Sequence, residues 1–360
     1  MFEHDTFTRT PETEDAYIER SQKLLARHQL DTNSLWNQDP ESFIVWIAAK
    51  RDTVSKRTWR LYRSALRFYF DVFGRNDLSE RIAAMPIPDK QVPKRTSAKK
   101  KKTISDDHLK KLVAYMSLPN ATETTTETLR FFLSSYMMGL RPSEWNGVKL
   151  IGEPKTDVIL HGVSYKKGHQ INLLSKKFGL TIGCEHNLDH LKSVIEAIDI
   201  SKLVVNNKKV TNGRGNGPER HLLTPDFPPS DLVVLLAHCL TTRHHADSNT
   251  YSDFQKKCAQ KLYSVSRKLW PKANQHISLY TARHQSIANC KKSGMPTNMI
   301  AALHGQISDR TCQEHYGKKA NGYEKRARIK SPQEQIDTVR ITEKLNYLDK
   351  FGTETQRSQK

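Results

Sequence analysis

Residues 302–318 read ALHGQISDRTCQEHYGK, and this stretch decides how the C-terminal part of the chain folds. Gly305 and Gly317 stand where helices commonly end, because glycine readily adopts the left-handed conformation that closes a helix. The pattern therefore predicts a short helix that starts after Thr297 and ends near Gly305. A second short helix is predicted to close with Tyr316 and Gly317, which holds the tyrosine at a defined position.

Two further stretches upstream each carry an arginine, GLRPSEW at 139–145 and LYTARH at 279–284. The first follows a run of apolar residues at helical spacing, which are Leu129, Phe132, Leu133, Tyr136, Met137 and Leu140. We therefore expect a buried helix that stops at residues 139–141 and fixes Arg141 at its end. A planar guanidinium binds phosphate with two parallel hydrogen bonds and stays charged, so Arg141 and Arg283 are candidate phosphate ligands.

Between these arginines, residues 203–209 and 219–223 are predicted to form two strands joined by the turn-rich segment TNGRGNGP. This hairpin places Lys209 beside its turn, where a lysine can donate a proton to a bound ligand. The long spacer at 151–202 leaves Lys176 and Lys177 as rival candidates for the same task.

The N-terminal part of the chain is predicted to be helical and basic. Its segment 55–70 carries five cations along one helix, Lys56, Arg57, Arg60, Arg63 and Arg67. A linker rich in proline and lysine follows at 86–104, because prolines resist helix formation and like charges repel one another. Its basic end contains Lys99, Lys100, Lys101 and Lys102, which we expect to contact phosphate. Ser105 is then the predicted N-cap of the next helix.

Composition points to a polyanionic partner. The chain has 360 residues with 58 Lys and Arg against 38 Asp and Glu, a formal net charge of +20. The longest apolar run, residues 232–237, is far shorter than the roughly 20 residues of a membrane span, and the N-terminus lacks a secretory pattern. We therefore expect a cytoplasmic protein with no membrane partner, whose five scattered cysteines form no structural disulfide.

The order of these parts resembles the tyrosine recombinase (phage integrase) family, over residues 105–318. The resemblance implies a mainly α fold with a small β component, made of a helical core-binding DNA domain and a recombinase catalytic domain. The expected boundaries are a DNA-binding domain at 1–85, a basic linker at 86–104, and a catalytic domain at 105–330. A C-terminal tail helix at 331–360 would contact a neighbouring protomer.

By the same resemblance, Tyr316 is the nucleophile that cleaves duplex DNA and forms a 3′-phosphotyrosine. Arg141 and Arg283 brace the phosphate, and Lys209 protonates the leaving 5′ oxygen. Because the bond energy is kept in the protein–DNA link, no cofactor, ATP or metal is required. The partners implied are a duplex recombination site and further copies of the chain, from a dimer to a synaptic tetramer.

The chain departs from the family pattern at two positions. Tyr280 stands where the first histidine is usual, and Gln306 stands where a second histidine or tryptophan is usual, with His304 nearby as a weaker candidate. These departures keep open a catalytically inactive DNA-binding regulator on the same fold, while an RNA-binding protein would account only for the charge. Cys184, His186 and His190 have a superficial likeness to zinc ligands, but no fourth ligand lies at finger-like spacing.

Overall fold

The computed structural model describes residues 11–88, 100–160, 162–180, 183–207, 216–310 and 316–341. The chain divides into two compact units, residues 1–98 and 99–360. The prediction of a mainly helical fold with a small β component is confirmed, whereas the finer boundaries expected at 85, 104 and 330 stay predictions. Across the described ranges, no helix has both the length and the apolar character that a membrane crossing demands.

The described part of the first unit consists of helices α1 (Pro11–Thr32), α2 (Pro40–Arg51), α3 (Lys56–Val72) and α4 (Asn76–Ala84). Ser55 caps α3 by accepting a hydrogen bond from the Thr58 backbone N–H at 3.1 Å. Fully buried Trp59 and Phe70 anchor α3 in an apolar core with Phe43 of α2. This packing fixes which face of α3 remains in solvent.

The solvent face of α3 is basic, as the sequence predicts. Arg57, Arg60 and Arg67 are exposed, Lys56 is partly exposed, and Arg63 is half-buried and donates a hydrogen bond to the Ala83 carbonyl oxygen. Burial and the charge of Arg67 both lower the pKa of Arg63. A shallow cleft on this face is lined by Arg60, Arg63, Ser64 and Arg67.

The second unit is built from helices and one antiparallel sheet. Its helices are α5 (Asp106–Met116), α6 (Glu123–Met138), α7 (Leu188–Ala197), α8 (Pro229–Asp247), α9 (Tyr251–Leu269), α10 (Leu279–Lys292), α11 (Thr297–Leu303) and α12 (Gln333–Asp337). Ser105 accepts a hydrogen bond from the His108 N–H at 3.3 Å and caps α5, as predicted. The apolar helix predicted before residue 139 is α6, which packs in the core against α8, α9 and α10.

The strands are β1 (Lys149–Pro154), β2 (Val158–Leu160), β3 (Val163–Tyr165), β4 (Ile171–Asn172), β5 (Ile198–Asn206) and β6 (Glu219–Leu223). They form a four-stranded sheet in the order β4-β1-β5-β6 and a separate ribbon of β2 with β3. The predicted hairpin is the pair β5–β6, in which Asn206 lies opposite Glu219. Much of the spacer at 151–202 therefore belongs to this sheet and its connections.

Two expectations need correction in detail. Strand β5 begins at Ile198 rather than at residue 203, because Ile198 and Ile200 are buried and pair with β1. The start of the predicted tail helix is only the short helix α12, whose Ile336 packs with Val339 against Ala301 and Ala302 of this same chain. Residues 342–360, with the rest of the tail prediction, lie outside the described residues.

Candidate active site

The loop after α6 is held in one conformation. Gly139 ends the helix with φ +67°, and a Cβ at this position would clash with Nε2 of His304. A turn of 3-10 helix, Pro142–Trp145, follows. Nε1 of Trp145 donates to Oγ of Ser135 at 2.9 Å, which ties this turn back to α6. Arg141 is therefore fixed between a left-handed glycine and a pinned turn.

Glu144 is the centre of a buried ion cluster. Its Oε2 accepts the Arg141 backbone N–H at 2.7 Å, and its Oε1 accepts the Arg141 guanidinium. Oε2 also lies 2.8 Å from Nη2 of Arg220 and 3.4 Å from Nη1 of Arg283. Burial alone would raise the pKa of Glu144, but the charges of Arg220, Arg283 and Arg141 outweigh it and hold the pKa well below its usual range. Glu144 is thus an anion shared by three cations.

Arg283 lies on α10, reaches this cluster with its guanidinium, and is completely buried. Its Nη1 donates to the Gly139 carbonyl oxygen at 2.7 Å, and its Nη2 donates to the His304 carbonyl oxygen at 2.8 Å. Its Nε–H has no hydrogen-bond partner among the described residues. Burial and the charge of Arg141 lower the pKa of Arg283, but a guanidinium remains protonated in proteins. A fixed cation with an unused donor is suited to bind an anion.

Tyr316 lies beside these cations. Its half-buried ring is centred 5.3 Å from the guanidinium carbon of Arg283 and 5.0 Å from the ring of His284. Burial would raise the pKa of the Tyr316 phenol, but Arg283 and Arg141 outweigh it through their charges and N–H donors, so the pKa is lowered. The arginines therefore make the phenolate, which is the nucleophilic form of tyrosine, easier to form.

Tyr280 lies one turn before Arg283 on α10 and remains 43% exposed. Burial raises the pKa of its phenol, and the opposing charges of Arg141 and Arg283 do not cancel this effect. Tyr280 therefore keeps its proton at neutral pH and can donate a hydrogen bond, whereas Tyr316 is shifted the other way. Two phenols near the same arginines thus have different protonation tendencies.

Gln306 and His304 occupy the turn after α11. The Gln306 side chain is buried, and neither Oε1 nor Nε2 has a hydrogen-bond partner among the described residues. Nδ1 of His304 lies 2.7 Å from the Ile300 carbonyl oxygen, which can only accept, so Nδ1 carries the proton. Burial holds the pKa of His304 well below its ordinary value, so its imidazole stays neutral.

Within the described part of the chain, none of the three lysines that are candidates for the proton donor lies among the arginines. Lys209 lies in the segment 208–215, outside the described residues. The base of its hairpin is fixed, because the Asn207 N–H donates to the Pro218 carbonyl oxygen at 2.8 Å. Lys176 and Lys177 are exposed on a short turn, and none of the contacts in the described ranges joins them to the arginines.

The basic segment before α5 runs beside the start of α10. The Lys101 N–H donates to the His276 carbonyl oxygen at 2.8 Å, and the Thr281 hydroxyl donates to the Lys101 carbonyl oxygen at 2.5 Å. Nζ of Lys101 lies 2.8 Å from Nδ1 of His108, so this ammonium is engaged within the protein. Lys100 and Lys102 remain available at the surface, and the charge of Lys102 contributes to lowering the pKa of His284 to about 4, mainly an effect of burial. Lys99 lies outside the described residues.

The zinc-like residues do not form a metal centre in the structure. His186 lies 3.3 Å from Glu123 and 3.6 Å from Glu185. Within the described ranges, no group of three or more His, Cys, Asp or Glu side chains is arranged to hold a metal ion.

Sequence analysis missed Arg220 as part of the site. Arg220 is completely buried in β6, and its Nη2 donates to Glu144. The alternation of residues in β6 could have indicated that Arg220 points inward. Side chains two residues apart share one face of a strand, and the apolar Leu222 faces the core. An arginine on the inward face needs a buried anion, and Glu144 is that anion.

The comparisons with known proteins find a likeness by structure and none by sequence. No protein-family model matches the sequence, and no curated protein matches it. A solved structure described as XerA recombinase is similar with a TM-score of 0.29 and 13% sequence identity, over 85% of this chain and 86% of that chain. A likeness of this size assigns neither a family nor a residue role to the chain.

Proposed function

We propose that this protein is a site-specific DNA recombinase of the tyrosine recombinase type, which cleaves and rejoins duplex DNA through a covalent bond to Tyr316. The observation that carries the proposal is the buried cluster beside this phenol. Arg141, Arg220 and Arg283 supply three positive charges, and Glu144 neutralises one of them. The two remaining charges match a phosphodiester under attack by a phenolate, which becomes doubly negative in the transition state.

In the proposed cleavage step, the Tyr316 Oη forms a bond to phosphorus while the bond from phosphorus to the 5′ oxygen breaks. The phenolic proton passes to solvent, which the lowered pKa of Tyr316 assists. The electron pair of the broken bond stays on the 5′ oxygen, which takes a proton from an acid. Lys209 is proposed as that acid, and Lys176 and Lys177 remain its rivals. Rejoining reverses each step, with a 5′ hydroxyl as the nucleophile.

Tyr280 and Gln306 are proposed to act in place of the two residues, usually His or Trp, that the family carries at these positions. A neutral phenol and a primary amide can each donate a hydrogen bond to a non-bridging phosphate oxygen. The buried amide of Gln306, which finds no hydrogen-bond partner within the described ranges, supports this role, because a buried polar group without a partner is costly unless a ligand satisfies it. His304 is not proposed as a proton donor, since its imidazole is neutral and buried.

The proposed partner is duplex DNA. The exposed arginines of α3 and the surface ammonium groups of Lys100 and Lys102 would contact the phosphate backbone, and Lys99 would extend that contact. Recombination between two sites requires several copies of the chain, so a dimer and a synaptic tetramer on DNA are proposed. A DNA-acting protein of this kind would work in the cytoplasm.

The proposal can be tested by covalent trapping. Duplexes bound by the Tyr316→Phe protein are first selected from a random-sequence library, and nicks are then placed near each candidate phosphate. Wild-type protein is expected to give an SDS-resistant protein–DNA adduct on such a duplex, whereas Tyr316→Phe binds with similar affinity and gives none. Tyr263→Phe is the matched control, because Tyr263 is an exposed tyrosine on α9, and its adduct should persist.

The same experiment separates the alternatives. Specific duplex binding without any wild-type adduct would favour a catalytically inactive DNA-binding regulator. Failure to select any duplex, together with binding to single-stranded RNA, would favour an RNA-binding protein. An adduct that survives Tyr316→Phe would move the nucleophile to another residue.

A further inference from the structure

The guanidinium of Arg220 joins three separate segments of the site. Its Nε donates to the Leu303 carbonyl oxygen at 3.1 Å, and its Nη1 donates to Oδ1 of Asn207. Its Nη2 donates to Oε2 of Glu144 at 2.8 Å. These partners belong to the end of α11, to the base of the β5–β6 hairpin, and to the loop that carries Arg141. No other described side chain bonds to all three segments.

The packing around Arg220 leaves little room for adjustment. A Cβ at Gly305 would lie 2.6 Å from Oδ1 of Asn207 and 2.9 Å from Nη1 of Arg220. Asn207 is held in turn, because its Nδ2 donates to the carbonyl oxygens of Asn216 and Gly217, each at 2.9 Å. The hairpin base and the turn that carries Gln306 therefore meet at the Arg220 side chain.

Arg220 also decides how the charge of Glu144 is shared. Oε2 of Glu144 lies 2.8 Å from Arg220 but 3.4 Å from Arg283. Without Arg220, the same oxygen would lose its closest side-chain cation and could pair more tightly with Arg283. Arg283 would then be neutralised by the protein rather than by a bound phosphate.

We infer that Arg220 is a positioning residue, which draws Oε2 of Glu144 toward itself and sets the hairpin base against the Gln306 turn, so that Glu144 offsets less of the positive charge of Arg283 and more of that charge is left for a bound phosphate. This inference rests on the proposed function. Arg220 itself does not touch the DNA. Its effect on the reaction passes through Glu144 and through the two segments that it joins.

The first test is single-turnover cleavage by Arg220→Gln on a nicked duplex. Loss of a residue that orients a metal ligand reduces activity by about 10 to 100-fold. By analogy we expect a loss of about that size in the cleavage rate, with little change in duplex affinity. In the Arg220→Gln background, the added substitution Glu144→Gln should slow cleavage less than it does alone, because it also removes the anion that would otherwise capture Arg283. Additive losses in the double variant would overturn the inference, since they indicate that Arg220 only fills space.

The second test does not depend on recombination. The ultraviolet absorbance of phenolate is titrated in each protein and in its Tyr316→Phe counterpart, and the difference reports Tyr316 alone. Arg220→Gln should raise the pKa of Tyr316, because Glu144 then offsets the charge of Arg283. An unchanged Tyr316 titration would overturn the inference even if cleavage slows. If wild-type protein never forms an adduct, the proposed function fails, and this titration still decides the role of Arg220.

Two further variants guard against misfolding and general charge effects. Arg220→Lys keeps a cation near Glu144 but cannot reach all three partners, so it should fold, retain a Tyr316 titration close to that of wild type, and cleave at an intermediate rate. Arg328→Gln removes another arginine–carboxylate pair of this unit, which joins Arg328 to Asp231 at 2.8 Å. This control should leave the Tyr316 titration unchanged, and a shift equal to that of Arg220→Gln would overturn the inference.

Discussion

Glu144→Gln is expected to destabilise the second unit strongly, because it leaves three arginines without their common anion. Removing one partner of a buried ion pair costs about 3 to 5 kcal/mol. That cost corresponds to roughly two to four orders of magnitude in the unfolding equilibrium. The matched control is Glu219→Gln, which breaks an ion pair with Lys149 at 3.3 Å whose side chains are 50% and 41% exposed. Such exposed pairs contribute at most about 1 kcal/mol.

The pH dependence gives this prediction a second check. The folded-state pKa of Glu144 is depressed, so its stabilisation is complete above the unfolded pKa of about 4.3 and is lost as the pH falls below it. Urea unfolding of wild type and Glu144→Gln should therefore differ most near neutral pH, and the difference should narrow in acid. Hydrogen exchange of the amides in α6 and α10 restricts the measurement to the second unit. Equal stability at neutral pH, or a gap that widens in acid, would refute the shared-anion account.

Three further predictions concern the site and the basic segment. Tyr280→Phe and Gln306→Ala should each slow single-turnover cleavage by about 10² to 10³-fold with little change in duplex affinity; if neither slows it, they are not phosphate ligands. Neutralising residues 99–102 should weaken binding to all duplexes alike. It should also reduce the slope of log affinity against log salt concentration by about 0.9 for each phosphate that the protein no longer neutralises. A changed base preference with an unchanged salt slope would contradict this. A substrate with sulfur in place of the bridging 5′ oxygen should restore cleavage to Lys209→Ala, since a thiolate leaves without a proton. Rescue of Lys176→Ala instead would reassign the acid.

The sequence was sufficient to predict α5, α6 and α11, whereas most of the helix predicted between residues 308 and 316 lies outside the described residues. The cap at Ser105 and the stop at Gly139 follow from local chemistry, because a serine hydroxyl and a left-handed glycine act on their immediate neighbours. The motif order predicted that Arg141, Arg283 and Tyr316 belong together, and the structure places them side by side. Their catalytic roles stay predictions.

The ion cluster itself could not be predicted in the same way. Glu144 and Arg220 are separated by 76 positions along the chain, and strand alternation indicates only that Arg220 points inward. The partner that an inward arginine meets depends on how β6 packs against the loop after α6, which is a property of the tertiary fold. Likewise, the sequence pattern does not distinguish Lys101 from Lys102. In the folded protein, however, the ammonium of Lys101 lies within hydrogen-bond distance of the His108 ring.

The central claim is that Tyr316 is the residue that becomes joined to DNA. The most direct measurement is mass spectrometry of the adduct formed on a nicked duplex, after digestion with a protease and a nuclease. The account predicts a short nucleotide linked through its 3′ phosphate to the peptide that contains Tyr316. A nucleotide on a different residue, or one linked through a 5′ phosphate, would contradict it.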